Sequence, residues 1–497
     1  MLFSFAACKG TGDTEETTLS QEETTQSEQE TEKTSSNART SFILPYSEAD
    51  SLSPFKAQTQ INRAITTLLY DSLYTLDESF MPSAVLAKTS EIGSETVEVT
   101  LSGTAKFSDS SELNATDVVY SFNQAKESDR YSALLSGIDS AAATDRYKIR
   151  FNLSQPDAFV LSVLTFPIIK YGSAEQNVPT GSGRYVFSTD KLSYNKSHIS
   201  GEKPKIKTIG IFSLNDRTNF VDALQIGNIS FIFRDLSDCE IQRAVARSVP
   251  LTLNNLIFIG VNSKSGALKD KALRQAINLA VDKDAIVSQD FQSYAVRTES
   301  PFNPKWGETK EQDSVFDQSE AVEILEKNGY TYSSQTDKYR RDTDGKTLYF
   351  KILVCEENEF RASAAKSVAK YLSQIGIYTE VEAVSYKKYK EKIKEKDFDL
   401  YIGEIKLCEN MSLSPFFSKS GKARYGVDLD SEITASYSEM LQQNKSVSVF
   451  ESDFSKELPF IPLCYRQGIV MTSNTLSDNI KSVPTDLFAN IYEWKMN

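Results

Sequence analysis

The sequence predicts an α/β protein of more than one domain, and three observations carry that expectation. The chain has 497 residues, enough for two or three domains with sizeable cores. Segments with a helical apolar period and segments with strand-like alternation both recur along it. Hydrophobic residues make up 40% and charged residues 25%, the balance of a soluble globular chain.

Folded sequence begins near Thr40. Residues 41–46 are a short apolar run with Pro45 near its end, which suits a strand running into a loop. In residues 61–76, Ile61, Ile65, Leu68, Leu69, Leu73 and Leu76 recur at helical spacing and predict one helix. Residues 97–101 and 147–153 alternate as strands do. Ala115, Thr116 and Asp117 carry N-cap chemistry ahead of an apolar-periodic helix over 118–122. Gly181, Ser182 and Gly183 mark a turn and lack the strand-to-helix G-x-S-x-G of hydrolases. Residues 254–262 are apolar and β-prone, then cross into a long helix ending near Val287. A helix over 319–327 stops at Asn328-Gly329. Residues 342–346 form a hairpin turn before a strand over 348–354. Arg340 and Lys351 would occupy the first and last ligand positions of a calcium loop there, which argues against calcium. Residues 367–376 put Val368, Tyr371, Leu372 and Ile375 on one helix face, and a strand over 377–384 follows.

The formal net charge of −13 argues against a nucleic-acid partner, since phosphate contacts demand Lys/Arg-rich surface. His198 is the single histidine, which excludes multi-histidine metal sites and suits a surface position better than catalysis. No Walker loop, G-x-G-x-x-G or H-E-x-x-H is present. Cys239, Cys355, Cys408 and Cys464 form no C-x-x-C pair and read as isolated thiols. Glu356 with Glu357, and Glu311 with Asp313, read as solvated surface pairs. No metal or cofactor is expected.

Residues 1–8, Met-Leu-Phe-Ser-Phe-Ala-Ala-Cys, resemble the tail of a bacterial lipoprotein signal peptide, in which the cysteine is lipidated. Residues 9–40 hold eight acidic and three basic side chains, a local charge of −5, and no aromatics; they predict a disordered acidic tether. A membrane attachment through Cys8 follows as an expectation.

Two longer stretches carry a resemblance. Residues 106–122 read KFSDSSELNATDVVYSF; further on come 258–262, FIGVN, and 273–287, LRQAINLAVDKDAIV. In this order they resemble the peptide- and nickel-type (family 5) solute-binding proteins of ABC importers. Leu69 to Asp77 is similar to the family's Y-E-G-L passage, with Ser72 where Gly is usual. Residues 81–87, 179–187 and 458–465 are similar to its P-x-L-A, P-x-G-T-G-P-Y and P-x-I-P-L-Y passages.

The resemblance implies a periplasmic-binding-protein-like fold of the class II, or cluster C, type: two lobes with a hinge and an inserted lobe in the first domain. Domain I would span 40–76, 183–255 and 462–497, the inserted lobe 77–182 and domain II 256–461. It implies a monomeric, non-enzymatic receptor on the extracellular face of the cell membrane, periplasmic where an outer membrane exists. The receptor would capture a small solute, above all a short peptide, by hinge closure and deliver it to an ABC permease. A cell-surface hydrolase, or a lipoprotein keeping the fold for signalling or adhesion, are the alternatives.

A peptide ammonium group taken out of water needs a carboxylate partner. Many members place an Asp for this in a Trp-rich D-P-x-x-F loop. Residues 400–417 keep the flanks of that loop but contain neither Trp nor Asp-Pro. Within them Glu404 could receive a cation and Lys406 an anion, or the two form a solvated pair on a strand edge; Tyr401 lies in the same stretch. Tyr465 is a candidate aromatic wall, or a core or hinge tyrosine. Thr59, Gln60 and Asn62 stand where the family's first-domain loop faces the cleft, or form an ordinary helix N-terminus.

Overall fold

The computed structural model describes residues 41–214, 219–242 and 244–497, so Cys8 and the expected tether over 9–40 lie outside the described residues. In the first lobe, strands Ile43–Tyr46, Thr208–Ser213, Lys191–Tyr194 and Tyr185–Ser188 form one sheet in that order. The first pair is parallel and the others antiparallel. Helix Gln60–Leu69 packs against it with Ile65, Leu68 and Leu69 buried. The helix expected over 61–76 therefore ends early, and Tyr74–Leu76 is a strand. A glycine loop is the physical cause. The Gly183 N–H donates to the Leu69 carbonyl at 3.0 Å, taking the acceptor that residue 73 would use in a continuing helix.

The inserted lobe has four antiparallel strands in the order Ala87–Ile92, Thr96–Leu101, Lys148–Leu153, Ile138–Asp145. Val97, Val99 and Leu101 alternate inward, as do Ile149, Phe151 and Leu153, beneath helix Ala115–Glu127. That helix is capped one residue earlier than expected. Asn114 Oδ1 accepts the Thr116 N–H at 2.9 Å and Asp117 Oδ2 accepts the Asn114 N–H at 3.0 Å, a reciprocal capping box.

The third sheet joins the lobes. Its order is Phe231–Arg234, Phe460–Thr472, Arg247–Val261, Leu400–Lys406, Tyr349–Cys355, Tyr378–Val384, with Ala295–Arg297 also paired to Phe460–Thr472. Two long strands run antiparallel through both lobes. Residues 247–252 pair with 467–472 beside Phe231–Arg234, and 256–260 pair with 460–465. Between these runs the register breaks, leaving Leu253, Asn254 and Asn255 opposite Arg466. Each bulged residue is tied to the second lobe. Asn303 Nδ2 donates to the Leu253 carbonyl at 3.2 Å and to Asn254 Oδ1 at 2.8 Å. The Leu407 N–H donates to the Asn254 carbonyl at 2.8 Å, and Asn255 Nδ2 to Glu404 Oε1 at 2.8 Å.

The long helix expected to reach Val287 is instead Lys271–Ala280, broken at Val281. Asp282 restarts it by accepting the Ala285 N–H at 2.9 Å. Near the expected junction at 76/77, Leu76 and Phe80 enter the apolar core of the second lobe with Phe302 and Trp306.

Candidate functional site

Thr59 caps helix Gln60–Leu69: its Oγ1 accepts the Asn62 N–H at 3.3 Å and donates to Asp50 Oδ2 at 2.6 Å. Asn62 is fully buried, accepting the Ser47 N–H at 3.0 Å and donating to the Ser47 carbonyl at 2.9 Å. Both side chains bind the 47–51 loop to the helix, so their polar groups are spent within the first lobe. Gln60 is half-buried at the rim of a small apolar pocket formed by Leu44, Ile61, Ile65, Phe231 and Phe488.

On the second-lobe strand, Tyr401 lies on the opposite face from Glu404 and Lys406, as a period of two requires. Its ring packs over Gly260, edge-on to Phe398 at 4.9 Å and Phe258 at 5.6 Å. Tyr465 is fully enclosed, and its hydroxyl donates to the Pro301 carbonyl at 2.7 Å. Both tyrosines are core residues here and form no crevice wall. Glu404 is neither free nor solvated. Its Oε1 accepts from Arg466 Nε at 2.9 Å, and Oε2 lies 3.8 Å from Arg361 Nε. The cation it was expected to receive from a solute is supplied within the chain, by Arg466 and Arg361. Lys406 is exposed.

His198 is buried rather than on the surface. Its Nε2 is 3.3 Å from Asp71 Oδ1, and its Nδ1 is 2.8 Å from both Ser200 Oγ and the Tyr492 hydroxyl. It lines a cavity of about 220 Å³ with Thr66, Asp71, Arg130, Tyr131, Arg184, Asp486 and Tyr492. Arg184 is paired with Asp486 at 2.7 Å and donates to the Phe488 carbonyl at 2.7 Å. Burial pushes the Tyr492 hydroxyl up to about 12, so it stays a neutral donor at physiological pH.

Near Tyr131, which lines this cavity, residues 408–410 of the second lobe touch the inserted lobe. Tyr131 is buried against Phe55, with the Arg130 guanidinium 5.0 Å from its ring centroid. Burial raises its pKa, and the charges of Arg130, Glu409 and Arg63 all reach its hydroxyl. Arg63 and Arg130 come from the first and inserted lobes, and Glu409 from the second. Beside it Asn410 Nδ2 donates to Asp157 Oδ2 at 2.7 Å, and Cys408 Sγ lies 3.7 Å from the Ala133 carbonyl. Burial holds Asp157 above the usual carboxylate range and the Cys408 thiol up to about 12. Periodicity and spacing gave no signal for Arg63, Arg130, Tyr131 or Glu409, which come together only across chain separations of tens to hundreds of residues.

Among the described residues no three His, Cys, Asp or Glu side chains cluster as a metal site requires. No helix of the described residues is long and apolar enough to cross a membrane.

Comparison with known proteins agrees with this architecture. A sequence profile of bacterial extracellular solute-binding proteins, family 5, matches residues 81–419. The glutathione-binding protein GsiB of Pectobacterium atrosepticum is 25% identical over 377 residues, covering 70% of each chain. The oligopeptide-binding protein AppA of Bacillus subtilis is 25% identical over 370 residues, covering 67% of each. Among solved structures, the periplasmic murein tripeptide binding protein MppA in its unliganded open form superposes with a TM-score of 0.76 at 15% identity, covering 92% of this chain and 97% of that one. A nickel ABC transporter protein from Bacillus halodurans superposes with a TM-score of 0.75 at 18% identity, covering 92% and 100%.

Proposed function

The chain belongs to the family 5 bacterial extracellular solute-binding proteins of ABC importers, and on that premise we propose that its solute is a short peptide, held between the lobes at the crevice around Tyr131. The relatives include an oligopeptide-binding protein and a glutathione-binding protein, which supports a peptide-like cargo. The observation that carries the reading is that the 408–410 segment of the second lobe meets the inserted lobe through Cys408–Ala133 and Asn410–Asp157, where charges of both signs, Arg130, Glu409 and Arg63, act on Tyr131. A zwitterion bridging the lobes there favours the closed arrangement by the difference in its affinity for the two states. Glu409 takes the ammonium-binding role that Glu404, already paired, cannot fill. The division into 40–76, 183–255 and 462–497, the lobe 77–182, and 256–461 belongs to this reading.

Titration calorimetry of the intact chain with defined di- to pentapeptide pools is the test. Saturable heat is expected; no heat and no thermal shift with any pool would overturn the peptide assignment. The reading further includes a monomer that only binds and delivers its solute, anchored by a lipid on Cys8 at the extracellular face of the cell membrane. Membrane fractionation should lose the protein to the soluble fraction in a Cys8→Ser variant.

A further inference from the structure

Of the two arginines that line the cavity, one has a carboxylate partner and the other has none among the described residues. Arg184 is matched by Asp486 at 2.7 Å, and Asp71 stands 3.3 Å from His198. Arg130 lines the same cavity, and its side-chain hydrogen bond is to a neutral group, Thr66 Oγ1, at 3.2 Å. Arg63 sits one helical turn before Thr66, and its Nε donates to the Ala57 carbonyl at 2.9 Å. Neither arginine has a carboxylate within ion-pair distance among the described residues. Both are half-buried. Burial and the adjacent Arg130 charge depress the Arg63 pKa, and Asp50 offsets this only in part. The Asp50 oxygens are themselves engaged by Thr59 and Gln58. Two neighbouring guanidinium groups, partly desolvated and mutually repelling, form a cradle for a planar bidentate anion.

Resting on the solute-binding reading above, we propose that the solute presents a carboxylate that docks against Arg130 and Arg63, with Thr66 at its edge. The carboxylate is either the peptide's C-terminal group or an acidic side chain, since the chemistry is the same. A divalent acid satisfies both arginines at once and relieves their repulsion, so acidic peptides are the preferred cargo.

Calorimetry with trialanine, trialanine amide and Ala-Glu-Ala amide distinguishes the sources. A C-terminal docking group makes the free acid bind roughly 10- to 100-fold tighter than its amide, the worth of a charged hydrogen bond. A side-chain docking group restores binding in Ala-Glu-Ala amide. In either case Arg130→Gln removes the preference while Arg130→Lys keeps part of it, and unchanged melting temperatures show that both variants fold. Acid and amide forms binding alike in the unaltered chain, or a preference that survives Arg130→Gln, would overturn the proposal and leave the receptor reading standing. If no peptide binds, citrate becomes the probe. An Arg130-dependent rise in melting temperature then upholds the carboxylate site and removes the peptide; no rise overturns both. Strong coupling of Arg130→Gln with Glu409→Gln in a double-mutant cycle would reassign Arg130 to an interlobe pair and also overturn the proposal.

Discussion

Glu404→Gln would leave the Arg466 guanidinium, 6% exposed, without the carboxylate that compensates it. Arg361, 3.8 Å from the same group, would lose its counter-charge as well. Breaking a buried pair from one side costs about 3 kcal/mol or more. Two residues on, Lys406 is exposed, and Lys406→Ala should change stability by no more than about 0.5 kcal/mol. Denaturant midpoints of the two variants measure the contrast; equal losses would mean that the pair contributes nothing special. The two side chains share a strand face and differ in sign, so their sequence context treats them alike. Their different fates follow from Arg466, which lies 62 residues away from Glu404 and reaches it across the hinge strand. His198 makes the same point, since its burial depends on Asp71 and Tyr492, 127 and 294 residues away.

Elements formed by short-range pattern were legible, and their ends were not. The alternation at Val97, Val99 and Leu101 became a strand as expected, because one face of an antiparallel sheet is buried. Helix Gln60–Leu69 lost its last expected turns to the Gly181–Gly183 loop, a contact that no helical period encodes. Those glycines are small for a packing reason. A Cβ on Gly183 would stand 2.3 Å from the Leu69 carbonyl carbon, and one on Gly181 2.2 Å from the Leu69 oxygen. Gly183→Ala should therefore force the loop off the helix end at a cost of about 2 kcal/mol or more. A thermal melt that matches the unaltered chain would show that the loop can shift freely.

The lobes can rotate only where the connecting strands are not clamped. Leu253, Asn254 and Asn255 are held to the second lobe by Asn303, Leu407 and Glu404, and the Gln467 N–H donates to the Tyr294 carbonyl at 2.8 Å. The pivot is accordingly expected at Leu251–Thr252 and Gln467–Gly468, on the first-lobe side of the bulge and a few residues inside the proposed domain I bounds at 255 and 462. Gly468 permits the close approach of Phe233, whose ring would lie 2.6 Å from a Cβ there. Small-angle scattering should show the radius of gyration falling when a bound peptide is added at saturation, and hydrogen exchange should slow around 251–252 and 467–468. A ligand at 100 times its Kd should add roughly 2.7 kcal/mol of stability at the same time. An unchanged radius with full occupancy would separate binding from closure.

Periodicity, turn chemistry and composition were enough to establish an α/β chain and several of its strands and helices, because these depend on neighbours within a few residues. Ordered landmarks such as residues 106–122 and 273–287 pointed to the family. The residues proposed to meet the solute come together by folding alone. Arg63, Arg130, Tyr131 and Glu409 lie far apart in the chain and act on one another only in the folded protein. Glu404 and Tyr465 dropped out of the proposed site because strand pairing turned them toward arginines and core. Electrostatic and packing partners are chosen by proximity in space, and a chain read residue by residue contains no measure of that distance.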